Sequence, residues 1–267
     1  MKKTLRKLYL RKSSLSDLRK TISFPDQFNP ALVILVTIGV YFAAQIIGGT
    51  LISIYPIVRR WDRVQTMDWL SNSLVAQFFT VVFIYGSILF LLRVFFKKYG
   101  GGFRTIGFKK PKWTDMGFAL AGYAAYIVAY IVIIILIGLF IPELNLNQKQ
   151  QLGFSTATTG PGLILIFISL VVLPPLVEEL LMRGFLYTGL RARLHKMPSA
   201  IITSIVFAVG HLQWGSGNAL LWTAAIDTFI LSMVLVYLRE RTGGLGASIG
   251  LHMIKNCVAF ASLFILR

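Results

Sequence analysis

Two adjacent carboxylates and an arginine lie inside an apolar run that is long enough to be buried in a bilayer. Glu178 and Glu179 follow the apolar stretch 173–177, and Arg183 comes one helical turn later. A charged group at the centre of a membrane costs about 2.5 kcal/mol or more, so it is rarely placed there without a partner or a task. Glu179 and Arg183 share a helix face and can form an ion pair, whereas Glu178 is rotated by about 100° and is free to point elsewhere.

Two further segments each carry a histidine at helical spacing from a second residue. Phe207 precedes His211 by one turn, and His252 precedes Asn256 in the same way. Glu178 and His211 both lie about 16 residues from the turn near residue 195, so in an antiparallel helix pair they should meet at one level. The level of His252 is uncertain by a turn or two.

A buried carboxylate beside histidines supplies the groups of a general acid–base site. We expect Glu178 to take a proton from water, His211 to protonate a leaving amine, and His252 with the Asn256 amide to stabilise an oxyanion. Each histidine alone is also consistent with a helix–helix hydrogen bond, and the Glu179–Arg183 pair alone with a structural ion pair. It is the conjunction of these residues that favours a catalytic site. The predicted catalytic residues are Glu178, His211, His252 and Asn256, and the predicted supporting residues are Glu179 and Arg183.

Composition places these residues in a helical membrane protein. The chain has 267 residues, of which 56% are hydrophobic and 14% charged, whereas a soluble domain carries about 25% charged residues. Several apolar runs have membrane-spanning length. The predicted fold class is therefore all-α, a polytopic transmembrane helix bundle with about seven spans. Cys257 is the only cysteine, which excludes an intrachain disulfide and a cysteine-based metal site.

The apolar runs divide the chain into three parts. Residues 1–30 form a basic cytoplasmic tail, either solvated or lying as an interfacial helix on anionic lipid. Residues 31–145 contain three N-terminal transmembrane helices, and residues 160–266 form the core that carries the candidate residues. The spans are predicted at 31–58, 69–95, 116–141, 162–194, 198–212, 218–238 and 245–266.

The fourth segment is too long for one straight span, since a helix over 162–194 would measure about 50 Å. Pro174 and Pro175 remove two amide donors in its middle, so we expect the helix to break or kink there. The second piece would then begin near Leu176. Both glutamates would lie in its first turn, where the helix dipole favours negative charge.

The distribution of charge predicts orientation and partners. The formal net charge is +17, and the positive residues fall mostly on alternate loops, as in multi-pass proteins of a plasma or bacterial-type inner membrane with a cytoplasmic N-terminus. No basic face with interleaved aromatic residues occurs outside the spans, which argues against nucleic acid as a partner. The expected partners are the lipid bilayer and a membrane-associated peptide or protein substrate.

In this order, the three motifs resemble those of the CPBP (Abi) family, which includes type II CAAX prenyl endopeptidases and bacteriocin-processing or self-immunity proteins. The matching residues are Glu178-Glu179-x-x-x-Arg183, Phe207-x-x-x-His211 and His252-x-x-x-Asn256. The resemblance covers about residues 160–266, and the stretch 241–245 also looks like the family's pattern. It implies an intramembrane endopeptidase in which Glu178 is the catalytic glutamate. It also implies that the two histidines and Asn256 take the positions of the family's other essential polar residues.

Proteins of this family are often described as metalloproteases. Glu178, His211 and His252 could bind zinc, but asparagine is a poor zinc ligand and the sequence has no His-Glu-x-x-His motif. A water activated by a glutamate without a metal fits these residues at least as well, so we expect no cofactor.

Two other functions remain open at this point. The chain could be a non-proteolytic membrane scaffold or regulator of another membrane protein, although a scaffold has no need of an unpaired buried glutamate. It could also be a proton-linked transporter that uses Glu178, Asp227 and the histidines as a relay, although no internal repeat is evident. For Asp227 itself we expect a hydrogen bond to a neighbouring helix.

Overall fold

The structure is a computed structural model that describes residues 28–148, 153–154, 160–213 and 219–266. Within these ranges the chain forms eight helices and no strand. The helices are α1 (Pro30–Val58), α2 (Arg63–Asn72), α3 (Leu74–Tyr99), α4 (Trp113–Phe140), α5 (Gly160–Arg191), α6 (Lys196–Val209), α7 (Trp222–Thr242) and α8 (Gly246–Phe264). Six of them, all except α2 and α6, are long and apolar enough to cross a membrane. The predicted all-α transmembrane bundle is confirmed. The predicted tail lies almost entirely outside the described residues.

The predicted fifth span is shorter than expected. Helix α6 has 14 residues, which corresponds to about 21 Å, whereas the apolar core of a bilayer is about 30 Å thick. Among the described residues the number of full-length spans is therefore six, and α6 is an additional, shorter apolar helix. Its early end leaves His211 in the turn that follows the helix.

The predicted second span also starts later than expected. A separate polar helix, α2, precedes it and begins with a capping box between Asp62 and Gln65. The chain then leaves helical geometry at Ser73, whose hydroxyl accepts the amide of Ala76 and so caps α3. Capping side chains of this kind start a new helix rather than extend the previous one.

Helix α5 lies between two groups of helices. On one side α1 packs closely on α3, and their shared core with α5 includes Ile88, Leu92 and Phe185. On the other side α4, α7 and α8 form a second core, which includes Leu231 and Leu251. Because α5 contacts members of both groups and also α6, its residues face partners from most of the bundle.

The basic connections after α3, α5 and α7 meet at one end of the bundle. The Lys109 side chain donates to the carbonyl oxygen of Gly243 at 3.0 Å. Arg191, at the end of α5, pairs with Glu240 of α7 at 2.7 Å. Clustering of the basic connections on one side is what the positive-inside rule describes for the cytoplasmic face.

Helix α5 is continuous, so of the two outcomes expected at Pro174 and Pro175, a break or a kink, the break is wrong, as is a second helix that begins near Leu176. A π-helical stretch, Ile168–Val172, directly precedes the prolines, and the amide of Leu173 bonds to the carbonyl oxygen of Ile168. This bond reaches five residues back instead of four. The wider π turn therefore changes the hydrogen-bond spacing from four residues to five just before Pro174 and Pro175, which have no N–H.

The continuity of α5 changes the environment of the two glutamates. They lie in the α-helical stretch Leu173–Glu179, and a second π-helical stretch, Leu180–Leu186, follows it. Glu178 and Glu179 are thus in mid-helix, and the expected stabilisation by the dipole of a helix N-terminus is wrong. Their negative charge must be balanced by side chains from this helix and its neighbours. Each π stretch also turns the helix face, which decides where these side chains point.

Candidate active site

A buried ion pair forms the base of the site. Nη1 of Arg183 lies 2.8 Å from Oε1 of Glu179, and both side chains are 0% exposed. The sequence prediction of this pair is confirmed. The guanidinium also lies over the ring of Phe207, 4.5 Å from its centroid. Since Arg183 and Phe207 are equally far along the chain from His195, this contact confirms the antiparallel register that was expected for α5 and α6.

His252 joins the same carboxylate from α8. Its Nδ1 lies 3.1 Å from Oε1 of Glu179, and the residue is buried. An ionised carboxylate accepts hydrogen bonds only, so this contact requires the hydrogen on Nδ1 and leaves Nε2 available. Nε2 lies 4.0 Å from Oε2 of Glu178. That separation is too long for a direct hydrogen bond, and a water molecule at one side of the two atoms could bond to both.

Glu178 is the more accessible of the two glutamates. Its side chain is 19% exposed, whereas Glu179 is fully buried. Its Oε1 accepts a hydrogen bond of 2.6 Å from the hydroxyl of Tyr85 on α3. Sequence reasoning missed Tyr85, and the available signal was a hydroxyl-bearing residue in the middle of an apolar span.

His211 approaches the site through Phe207. Its Nδ1 bonds to the carbonyl oxygen of Phe207 at 2.8 Å, and because a carbonyl only accepts, Nδ1 is the donor and Nε2 is available. The His211 ring packs on the Phe207 ring at 4.6 Å, and the His252 ring lies 6.0 Å from the same ring. The structure thus brings both imidazoles to the ring of Phe207, and places Nε2 of His252 4.0 Å from Glu178.

Asn256 makes a contact that the sequence did not predict. Its Nδ2 donates to the carbonyl oxygen of Leu170 on α5 at 2.8 Å. One of the two amide hydrogens is therefore bonded to the backbone, and only the second is available for the expected oxyanion role.

Asp227 belongs to a separate polar cluster beside the site. It accepts a hydrogen bond from the hydroxyl of Tyr126 on α4 and pairs with Nζ of Lys255 on α8 at 2.9 Å. The expected hydrogen bond to a neighbouring helix is confirmed. Lys255 was missed, although a lysine inside an apolar helix is itself a signal that a partner is needed.

Within the described part of the chain, no group of three or more His, Cys, Asp or Glu side chains could hold a metal ion. Glu178, His211 and His252 do not form such a group, and no step proposed below passes through a metal.

Comparison with known proteins points to the part of the chain that carries these motifs. Residues 160–258 match a family model described as Rce1-like, type II CAAX prenyl endopeptidase. Over 95 residues the chain is 34% identical to an uncharacterized 24.3 kDa protein of Escherichia coli, and the aligned part is 35% of this chain and 42% of that protein. The chain thus spans less than half the length of this curated relative. No solved structure matches it.

Proposed function

We propose that this multi-pass membrane chain, whose residues 160–258 match the family model of Rce1-like type II CAAX prenyl endopeptidases, is an intramembrane endopeptidase. It hydrolyses a peptide bond in a membrane-associated or prenylated protein or peptide. One observation carries the proposal. The partly exposed carboxylate of Glu178 faces Nε2 of His252 at 4.0 Å, so that a water molecule lying beside the two atoms could bond to both and be activated by Glu178.

In the proposed reaction Glu178 removes a proton from this water as its oxygen attacks the carbonyl carbon of the scissile bond. His252 stabilises the resulting oxyanion by a hydrogen bond from Nε2, which requires the doubly protonated ring because the Nδ1 hydrogen is donated to Glu179. Asn256 was the other expected donor to the oxyanion, but its amide bonds to the Leu170 carbonyl oxygen, so we assign the oxyanion to His252. Collapse of the intermediate breaks the C–N bond, and the proton taken from water reaches the leaving amine through Nε2 of His211.

The proposed location follows from the placement of charge. The basic connections after α3, α5 and α7 share one end of the bundle, which we assign to the cytoplasm, so the N-terminus is cytoplasmic as well. In a bacterium this membrane is the inner membrane. The substrate then offers its scissile bond within or next to the bilayer.

The decisive variant is Glu178→Gln, which keeps the shape of the side chain and removes its basic oxygen. We expect new protein N-termini that depend on the wild-type chain to disappear from membranes that contain E178Q. Comparative membrane proteomics of neo-termini measures this. The matched control is Glu143→Gln, because Glu143 is exposed on the connection after α4. Membranes that contain E143Q should yield the same neo-termini as membranes that contain the wild type.

Retention of all neo-termini by E178Q would remove the protease assignment and favour the scaffold or regulator function.

The same assay tests the absence of a metal. After exhaustive chelation, with metal content measured in parallel, cleavage should persist at its original rate. A loss of cleavage that zinc restores would contradict the metal-free reaction.

A further inference from the structure

The carbonyl oxygen of Leu170 is placed where no helical donor can reach it. In an α-helix its donor is the amide four residues later, and in a π-helix the amide five residues later. These positions are Pro174 and Pro175, and proline has no N–H. Within a bilayer no bulk water replaces the missing bond, and an unsatisfied backbone carbonyl is costly.

Asn256 supplies the missing donor from another helix. Its Nδ2 lies 2.8 Å from the Leu170 carbonyl oxygen, and the side chain is partly buried. Asn256 is one turn beyond His252 on α8, so the two side chains lie on the same helix face. His252 bonds to Glu179 on α5. Helices α5 and α8 are therefore joined by two side-chain bonds, one on either side of the segment that carries Glu178.

We propose that Asn256 is a positioning residue for the proposed hydrolysis, on which this inference rests. The bond to Leu170 lies in the π-helical stretch Ile168–Val172, where a change between α and π turns would rotate the following segment. By holding that stretch, Asn256 fixes the rotation of Glu178 relative to Nε2 of His252. This role uses the backbone of α5 and does not require contact between the asparagine and the substrate.

The inference is tested by restoring the missing donor within α5. Asn256→Leu removes the amide, and Pro174→Ala returns an N–H four residues after Leu170. Three variants, N256L, P174A and P174A/N256L, are compared with the wild type. The two readouts are the thermal unfolding midpoint in detergent and the yield of Glu178-dependent neo-termini in membranes, divided by the amount of folded protein.

We expect N256L to lower the midpoint by about 3 °C or more, because a buried acceptor loses its bond. Cleavage per folded molecule should fall by up to about 100-fold, the cost of misplacing a reacting group by about 1 Å. In P174A/N256L both values should return most of the way to those of P174A. The control is Pro198→Ala in the first turn of α6, where a new N–H has no helical acceptor; P198A should not rescue N256L.

Equal loss of cleavage by N256L with and without P174A would overturn the inference, since Asn256 would then act on the substrate directly. An N256L variant that matches the wild type would overturn it as well. If N256L does not fold in either background, the smaller change Asn256→Ser is carried through the same comparison. The thermal unfolding midpoints test the bond to Leu170 without any substrate. A failure of the protease assignment is seen separately, because Glu178-dependent neo-termini would then be absent.

Discussion

The hydroxyl of Tyr85 donates a hydrogen bond of 2.6 Å to Oε1 of Glu178. The two residues lie on α3 and α5, and Tyr85 is outside the segment 160–258 that matches the family model. Because Tyr85 occupies Oε1, the other oxygen of Glu178 is the one that faces His252. A helix from the N-terminal half of the chain thus helps to orient the proposed base.

Replacement of Tyr85 by phenylalanine removes this bond and leaves the ring in place. A hydrogen bond to a charged group contributes about 1.5–3 kcal/mol, so we expect Glu178-dependent cleavage per folded molecule to fall by roughly ten-fold or more. The measurement is the yield of neo-termini relative to folded protein. Tyr99→Phe, on the same helix, is the control because it is the ring of Tyr99 that packs on Phe28 and Phe95. Similar yields for Y85F and Y99F would contradict this role of Tyr85.

Glu179 should matter for stability as well as for the reaction. Its Oε1 contacts both Arg183 and His252, and Glu179→Gln leaves a fully buried guanidinium without its counter-charge. Breaking a buried pair in this way costs about 3–5 kcal/mol, so we expect a clearly lower unfolding midpoint. Glu143→Gln makes the same chemical change on the surface and should stay within about 0.5 kcal/mol of the wild type. An E179Q midpoint equal to that of E143Q would show that the pair does not stabilise the bundle.

Spacing along the sequence predicts contacts within one helix and between helices joined by a short turn. The Glu179–Arg183 pair follows from a separation of one turn. The Arg183–Phe207 contact follows from equal distances to the turn at His195, since both helices rise at the same rate. The long apolar runs likewise predict the six full-length helices, with ends that differ by a few residues.

Contacts between distant segments could not be predicted in this way. Nothing in the sequence around Tyr85 shows that α3 packs against Glu178, because that contact depends on the packing of the whole bundle. The two prolines predicted a break, and the structure instead contains a π turn and a bond from Asn256 to Leu170. The known properties of proline identified the two missing N–H donors correctly. They could not identify Asn256, on another helix, as the residue that bonds to the carbonyl oxygen left free.

The cluster of Asp227, Tyr126 and Lys255 should stabilise the packing of α4, α7 and α8 without taking part in hydrolysis. Asp227→Asn leaves Lys255 without its carboxylate, whereas D227N/K255M removes both charges. We therefore expect D227N to lower the unfolding midpoint more than the double variant does. In D227N/K255M, cleavage per folded molecule should equal that of the wild type. A double variant that folds normally and does not cleave would instead place Lys255 in the reaction.

The contact between α1 and α3 should affect the active site through Tyr85. A Cβ added to Gly48 would lie 2.6 Å from Cγ1 and 2.9 Å from the backbone nitrogen of Ile84, the residue before Tyr85. Backbone atoms cannot move aside alone, so Gly48→Ala must push α3 away from α1 at a cost of about 1–3 kcal/mol. The Tyr85 hydroxyl then moves relative to Glu178. We expect a lower unfolding midpoint and reduced cleavage per folded molecule. Gly39→Ala on the same helix meets nothing within 4 Å and should be neutral or slightly stabilising; equal behaviour of G48A and G39A would contradict the close approach of the two helices.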